Sequence, residues 1–312
     1  MSKAIWENVL IKTEQGQTVK GIAPLIISAS RATDIPAFYC DWFVERLRAG
    51  YVKWINPFNG KAQYVSFCNV RLFIFWSKNP LPFMPILDYL DHNGFNYYFH
   101  FTLNDYQEEN YEPFVPDFKT RLETFRTLST KIGRQRVLWR FDPLMITDTV
   151  SEKKLLNKIR RTGDMVAPLT SRLTVSFVSP YPKVVKRCQR GAVKIIEPDI
   201  DRRCRIISKI SQMTSSWNIQ FFTCAQETDY SQCGAKPARC VDEHLIYKLF
   251  SSDKELMNLI LKEQQVEMFE YPPFRSDLRD KGQRKNCGCM KSKDIGSYNS
   301  CTHGCIYCYA NS

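Results

Sequence analysis

Apolar and polar positions follow two alternating periods along most of the chain. Short runs rich in β-branched and aromatic residues give way to stretches in which apolar residues recur every three or four positions. This is the pattern of βα units around a parallel sheet. The first run is Leu25-Ile26-Ile27-Ser28-Ala29-Ser30. A turn with Pro36 near a helix N-terminus leads to a helix with Phe38, Trp42, Phe43 and Leu47 on its inner side, closed by Gly50. Tyr51 to Asn56 reads as a second strand, Arg71 to Trp76 as a third and Asn96 to Leu103 as a fourth. Val137 to Phe141, Leu173 to Val178 and Ile219 to Thr223 follow as the fifth to seventh. Lys293 to Gly296 leaves room for a short eighth. The clearest helix places Phe118, Leu122, Phe125, Leu128 and Ile132 on one face and stops at Gly133. Ser151 opens another, and a third runs from about Asp199 to Met213.

Seven or eight such units in 312 residues predict an α/β chain built as a TIM-like barrel, complete or open. Residues 1–262 read as the βα body. Residues 263–312 read as a basic linker and a cysteine-rich tail packed on the barrel mouth as part of the same unit.

The length suffices for a sizeable core, and 44% hydrophobic with 24% charged residues is ordinary globular composition. No eighteen-residue apolar run exists, and Met1 to Asn8 lacks the apolar centre of a signal peptide, so no membrane span and a cytoplasmic location are expected. Twelve cysteines without an export signal then argue for thiols or metal ligands over a disulfide framework. Most of them lie in the C-terminal third. The formal net charge of +12 suits nucleic acid or other anions, and equally a merely well-solvated surface.

The densest chemistry is at the very end, Cys301-Thr302-His303-Gly304-Cys305-Ile306-Tyr307-Cys308-Tyr309-Ala310. Three cysteines at C-x3-C-x2-C can hold three corners of a [4Fe-4S] cluster and leave one iron open. A zinc knuckle, with His303 or another cysteine as fourth ligand, uses the same residue types. The spacing and the aromatic before the third cysteine resemble the radical S-adenosylmethionine (SAM) superfamily. The string from Ser297 to Ala310 resembles its spore-photoproduct-lyase-like branch. That resemblance implies a cluster on Cys301, Cys305 and Cys308, with SAM on the open iron. It further implies reductive cleavage to a 5′-deoxyadenosyl radical that abstracts hydrogen, with a flavodoxin or ferredoxin as reductant. It gives Tyr307 a place near the adenine of SAM.

In radical SAM proteins the motif normally follows the first barrel strand, whereas here four residues follow Cys308. From Ser28-Ala29-Ser30-Arg31-Ala32-Thr33-Asp34-Ile35-Pro36 to its end the chain resembles a bacterial family catalogued as domain of unknown function 1848. If the C-terminal strand abuts the one at 25–30, the cysteine loop still leaves a strand end, and the chain is a circular permutation of the radical SAM barrel. The glycine-rich SAM motif after the second strand is missing, and the turn Ser28, Ser30, Arg31 is the candidate replacement for cofactor binding.

Loops at the carboxyl ends of strands carry barrel chemistry. They present Ser28, Ser30, Arg31 and Asp34, then Asn56 and Asn59, then Ser77, Lys78 and Asn79. Thr102, Asn104, Arg140, Asp142, Ser176, Ser179, Gln226 and Glu227 complete the series. The catalytic candidates are Arg31, Lys78, Arg140 and Asp142. Alternation turns Arg140 away from Trp139 and Phe141, where it could fork a carboxylate such as that of SAM. The bland alternatives are a local Arg31–Asp34 ion pair and turn chemistry at Asn56-Pro57 and Asp142-Pro143.

A second group, Cys224, Cys240, Cys287 and Cys289, could hold another [4Fe-4S] cluster or a structural zinc, with Cys233 as a spare. These four resemble positions shared by the uncharacterised family. Cys40, Cys68, Cys188 and Cys204 read as small apolar residues. Arg275, Arg279, Lys281, Arg284, Lys285, Lys291 and Lys293 form either a positive rim for a phosphate-bearing substrate or a solvated linker. Two functions compete. One is a radical SAM-like enzyme of unknown substrate, with nucleic acid a candidate. The other is a non-catalytic iron–sulfur or zinc protein with a basic nucleic-acid-binding surface. A hydrolytic or isomerising barrel using Asp142, Glu227 or Lys78 is a third reading.

Overall fold

The computed structural model describes residues 6–262 and 273–311. Met1 to Ile5 and the first ten residues of the expected linker, 263–272, lie outside the described residues. The strands in chain order are β1 (Glu7–Lys12), β2 (Thr18–Ala23), β3 (Ile26–Ser28), β4 (Tyr51–Ile55), β5 (Ala62–Ser66) and β6 (Leu72–Ser77). They continue with β7 (Asn96–Thr102), β8 (Val137–Leu144), β9 (Arg172–Phe177), β10 (Gln220–Thr223), β11 (Lys236–Pro237) and β12 (Lys293–Asp294). The helices are α1 (Ile35–Phe38), α2 (Cys40–Ala49), α3 (Met84–His92), α4 (Phe118–Ile132) and α5 (Glu152–Val166), then α6 (Pro182–Arg190), α7 (Ile200–Ser216), α8 (Glu243–Phe250) and α9 (Lys254–Ile260).

Eight strands form one sheet in the order β11-β10-β9-β8-β7-β6-β3-β12, and every neighbouring pair is parallel. From β3 to β11 the spatial order follows the chain. The C-terminal β12 returns to lie beside β3, pairing Lys293 with Ile27 and Asp294 with Ser28. Among the described residues no strand pairing joins β11 to β12, so the hydrogen-bonded sheet has two edges there.

Both faces of this sheet are covered, which explains strands that read as continuous apolar runs. Phe73, Phe75, Tyr97, Phe99, Trp139 and Phe141 pack into one core with Phe43 of α2, Leu87 of α3, Leu128 of α4, Ile159 of α5 and Ile207 of α7. The alternate residues Ile26, Leu72, Ile74, Tyr98 and Leu138 join a second core. This one is filled by Leu245 and Phe250 of α8, Leu256 and Ile260 of α9, and by Leu278 and Met290. Period-two alternation thus divides each strand between two apolar layers. Among the described residues no helix is long and apolar enough to cross a membrane.

Local signals set the helix ends. Asp117, Ser151 and Asp199 accept backbone hydrogen bonds from the first turns of α4, α5 and α7. Gly50 ends α2 with φ of 75°, where a side chain would be strained.

The expected second strand is a correction. Tyr51–Ile55 is not in the parallel sheet but pairs antiparallel with β5, in a side sheet ordered β1-β2-β5-β4. The cause is local. Asn56 N donates to Lys61 O at 2.9 Å, and Asn56 Oδ1 accepts from Phe58 N at 2.9 Å, so the chain turns back at once instead of entering a crossover. Asn56 and Asn59 are therefore hairpin-turn residues. Cys68, expected to be buried, is exposed on the turn after β5, and only Cys188 of its group of four is buried.

Candidate functional site

Chemistry-bearing side chains collect where β3, β6, β7 and β8 end and where the C-terminal loop crosses them. Cys301 lies beside the turn after β3, with the backbone of Asp34 and His303 next to its thiol. Burial pushes that thiol up to about 11 and pushes Cys305 higher still, although the Lys78 cation opposes the shift at Cys305. Cys301, Cys305 and Cys308 lie within electrostatic reach of one another. The loop is held from several sides. Tyr39 donates to Ser300 O at 2.6 Å, and Arg187 of α6 donates to the carbonyls of Cys305 and Cys308 at 3.2 and 2.9 Å. Ile306 N reaches Tyr111 O at 3.1 Å, and Tyr309 reaches Arg31 O at 2.6 Å.

A buried polar network supports the third cysteine. Lys78 donates to Glu112 Oε1 at 2.8 Å and to the Tyr307 hydroxyl at 2.9 Å. Asn104 donates to the same two oxygens at 3.0 Å, and Tyr307 itself donates to Glu112. Arg121 closes the other side of Glu112 at 3.4 Å. Burial alone would raise the Glu112 carboxyl, but Lys78 and Arg121 hold it down to about 2. Tyr307 is thus fixed by its hydroxyl.

Asp34 is the second anchor. It caps α1 by accepting from Ala37 N at 3.1 Å, and its other oxygen accepts from Lys78 N and from His303 Nε2, each at 2.8 Å. A local Arg31–Asp34 pair does not form. Instead Arg31 N donates to Asp294 at 2.8 Å, and the guanidinium lies 5.1 Å from the centre of the Trp76 ring.

The Ser28 and Ser30 hydroxyls face β12, meeting Ser292 at 2.6 Å and Asp294 at 2.7 Å. They secure the strand that launches the cysteine loop. The approach is close enough that a methyl at Gly296 would sit 2.0 Å from Ser30 Oγ and 2.5 Å from its Cβ. Gly296→Ala should therefore cost about 1–3 kcal/mol, read as a lower urea midpoint at unchanged slope.

Arg140 faces away from Trp139 and Phe141, as alternation requires, but its charge is already matched. It pairs with Asp142, which also accepts from Ser176, and its Nη1 lies 3.2 Å from Cys240 Sγ. Arg140 and Asp142 with one group of cysteines, and Lys78 with the other, are thus engaged internally. The four cysteines of the second group do meet. Cys224 and Cys240 sulfurs are 3.7 Å apart, Cys240 N donates to Cys289 Sγ at 3.1 Å, and Cys287 neighbours Cys289. The Cys289 thiol pulls Cys287 down to about 7. Cys233 instead contacts Cys204. The basic rim is partly consumed: Arg279 bonds Cys287 O at 3.1 Å, and Lys293 is buried over Trp54, burial lowering it to about 8.

Among the described residues no group of three or more His, Cys, Asp and Glu side chains is preformed to hold a metal ion. The surroundings of the terminal loop nevertheless fit a bound group. His303 Nδ1 and Asn311 Oδ1 in the loop, and Thr33 Oγ1 and Asn79 Oδ1 next to its anchors Asp34 and Lys78, are buried without hydrogen-bond partners, a state that bound groups ordinarily relieve. Sequence reasoning missed Glu112, Ser292 and Asp294, which lie in irregular or very short segments without periodicity. One surface cleft, of about 330 Å³, is lined by Glu108, Ser151, Lys154 and Arg161 and by none of these residues.

No curated protein and no solved structure matches the chain significantly. The family model described as a domain of unknown function, DUF1848, matches residues 26–310, from the first parallel strand through the last cysteine, and the chain belongs to that family.

Proposed function

We propose that the protein is a radical SAM-like enzyme whose Cys301, Cys305 and Cys308 hold a site-differentiated [4Fe-4S] cluster. The observation that carries this reading is the departure point of the three-cysteine loop. It leaves β12, which lies parallel beside β3, so the loop crosses the carboxyl ends of the sheet although it ends the chain. On this reading the sheet is an incompletely closed, circularly permuted TIM-like barrel. When bound, the cluster supplies the electron that cleaves SAM into methionine and a 5′-deoxyadenosyl radical, which takes a hydrogen atom from substrate.

The chain's own residues orient this site. Lys78, Asn104 and Glu112 fix Tyr307 next to Cys308, and Asp34 fixes His303 between the first two cysteines. Thr33, Asn79 and Asn311 offer unpartnered polar atoms to whatever binds there. The reductant is a flavodoxin or ferredoxin, and the net charge of +12 supports an anionic substrate, nucleic acid among them. Anaerobically reduced protein mixed with SAM should release 5′-deoxyadenosine in step with its iron and sulfide content. Iron and sulfide without that product would exclude the reading.

One observation favours a non-catalytic alternative. His303 Nδ1 is buried and unpartnered, so it is available as a fourth ligand with the three thiolates, as in a structural zinc site. That reading predicts zinc without sulfide at this loop, lost in His303→Gln.

A further inference from the structure

The two edges of the parallel sheet come together without a strand ladder. Cys224 follows β10 directly, its amide bonded to Val175 O at 2.8 Å, and Cys240 follows β11. Cys287 and Cys289 lie on the segment that leads into β12. The two segments touch through Met290 N to Val241 O at 3.0 Å and Cys240 N to Cys289 Sγ at 3.1 Å. The four thiols therefore sit on the seam of the sheet, two from each side.

We propose that Cys224, Cys240, Cys287 and Cys289 bind one zinc-class divalent ion as a structural tetrathiolate site that joins the two edges of the sheet. Spacing and charge both favour a single ion. Sulfurs on a single tetrahedral zinc, with bonds of about 2.3 Å, lie about 3.8 Å apart. Cys224 and Cys240 sulfurs are 3.7 Å apart, the Cys240 amide reaches Cys289 Sγ at 3.1 Å, and Cys287 neighbours Cys289. In a cubane each thiolate sits on a different iron and is held further from its neighbours. Loading requires rotation of the outer thiols onto one centre.

An ion with four thiolates carries two net negative charges, and a buried site needs compensation. Arg140, although paired with Asp142, donates to Cys240 Sγ at 3.2 Å and offsets part of that charge. Arg31 offsets more of it, lying within electrostatic reach of Cys240, Cys287 and Cys289. The amide of Cys240 donates to Cys289 Sγ, and the Cys240 carbonyl is fixed by Tyr98 at 2.6 Å and His100 at 2.9 Å. Such outer contacts orient ligands. Binding exchanges the thiol protons for the ion and involves no oxidation or reduction.

The test is elemental and sulfide analysis of the full chain and of a variant with Cys301, Cys305 and Cys308 all replaced by serine. Both should carry about one zinc per chain, and the variant should carry no labile sulfide. Cys289→Ser should lower zinc to under about a tenth of an equivalent, with exposed Cys68→Ser as the unchanged control. Should Cys289→Ser not fold, zinc-edge X-ray absorption of the intact protein decides, because only a four-sulfur shell agrees with the proposal. Iron with labile sulfide in the triple variant, absence of zinc, or a shell containing nitrogen or oxygen would overturn it. The triple variant cannot hold the terminal cluster, so failure here and failure of the radical SAM reading are separate results.

Discussion

Cys305→Ala should leave a folded protein without labile sulfide and reduce 5′-deoxyadenosine formation to background. Cys305 is the central thiol of the loop, buried beside the Lys78 cation, and without it only two of the three proposed ligands remain. One spare thiol, Cys188 on α6, has its sulfur 3.8 Å from the Ile306 carbonyl. Cys188→Ala is therefore the matched control, expected to keep both sulfide and turnover. Trimming a small buried side chain such as Cys305 should cost only about 1 kcal/mol in the protein lacking its cluster. A large loss of stability in both variants alike would mean that the assay reports folding. Full turnover in Cys305→Ala would remove the cluster from the mechanism.

Sequence patterning was informative where burial is two-sided. β6 and β7 are almost fully buried along their length, and their apolar runs marked them clearly. β1 is largely exposed and β2 mixes exposed, half-buried and buried positions, and no period separated them from loop. β4 was legible as a strand but not as a member of another sheet, because partner choice was decided by the turn at Asn56, not by the strand's own residues. α8 and α9 went unread for a different reason. They cover the second-core residues Ile26, Leu72 and Tyr98, but at eight and seven residues they are shorter than the stretch over which apolar periodicity identifies a helix. In the site, cysteine spacing identified both thiol groups. Their companions were harder to read. Arg31 looked like a partner for Asp34 three residues on, yet its charge lies toward Cys289, far along the chain. Lys78 was found by its position after β6, whereas Glu112, which neutralises it, lies in an irregular stretch with no signal of its own.

Glu112→Gln should be the most damaging single change outside the cysteines, costing about 3–5 kcal/mol. The glutamate is the shared anion of two buried cations, with Lys78 at 2.8 Å and Arg121 at 3.4 Å. An amide of the same shape keeps the contacts but leaves both charges unmatched. The pH dependence gives an independent measure. The folded-state carboxyl is held at about 2 against an ordinary value of 4.5, and that difference corresponds to about 3 kcal/mol. Because the folded value is depressed, the stabilisation is fully present above pH 4.5 and is lost as pH falls toward 2. Wild-type stability should drop across that window, and Glu112→Gln should start lower and fall less steeply through it. Adding Lys78→Met should restore part of the loss, since one of the stranded cations disappears. A cost below about 1 kcal/mol for Glu112→Gln would mean that water reaches the cations, and that the network does not fix Tyr307. If the network does fix it, the variant also frees the ring beside Cys308. Turnover should then fall by more than its unfolded fraction explains, a loss that a purely stabilising role would not produce.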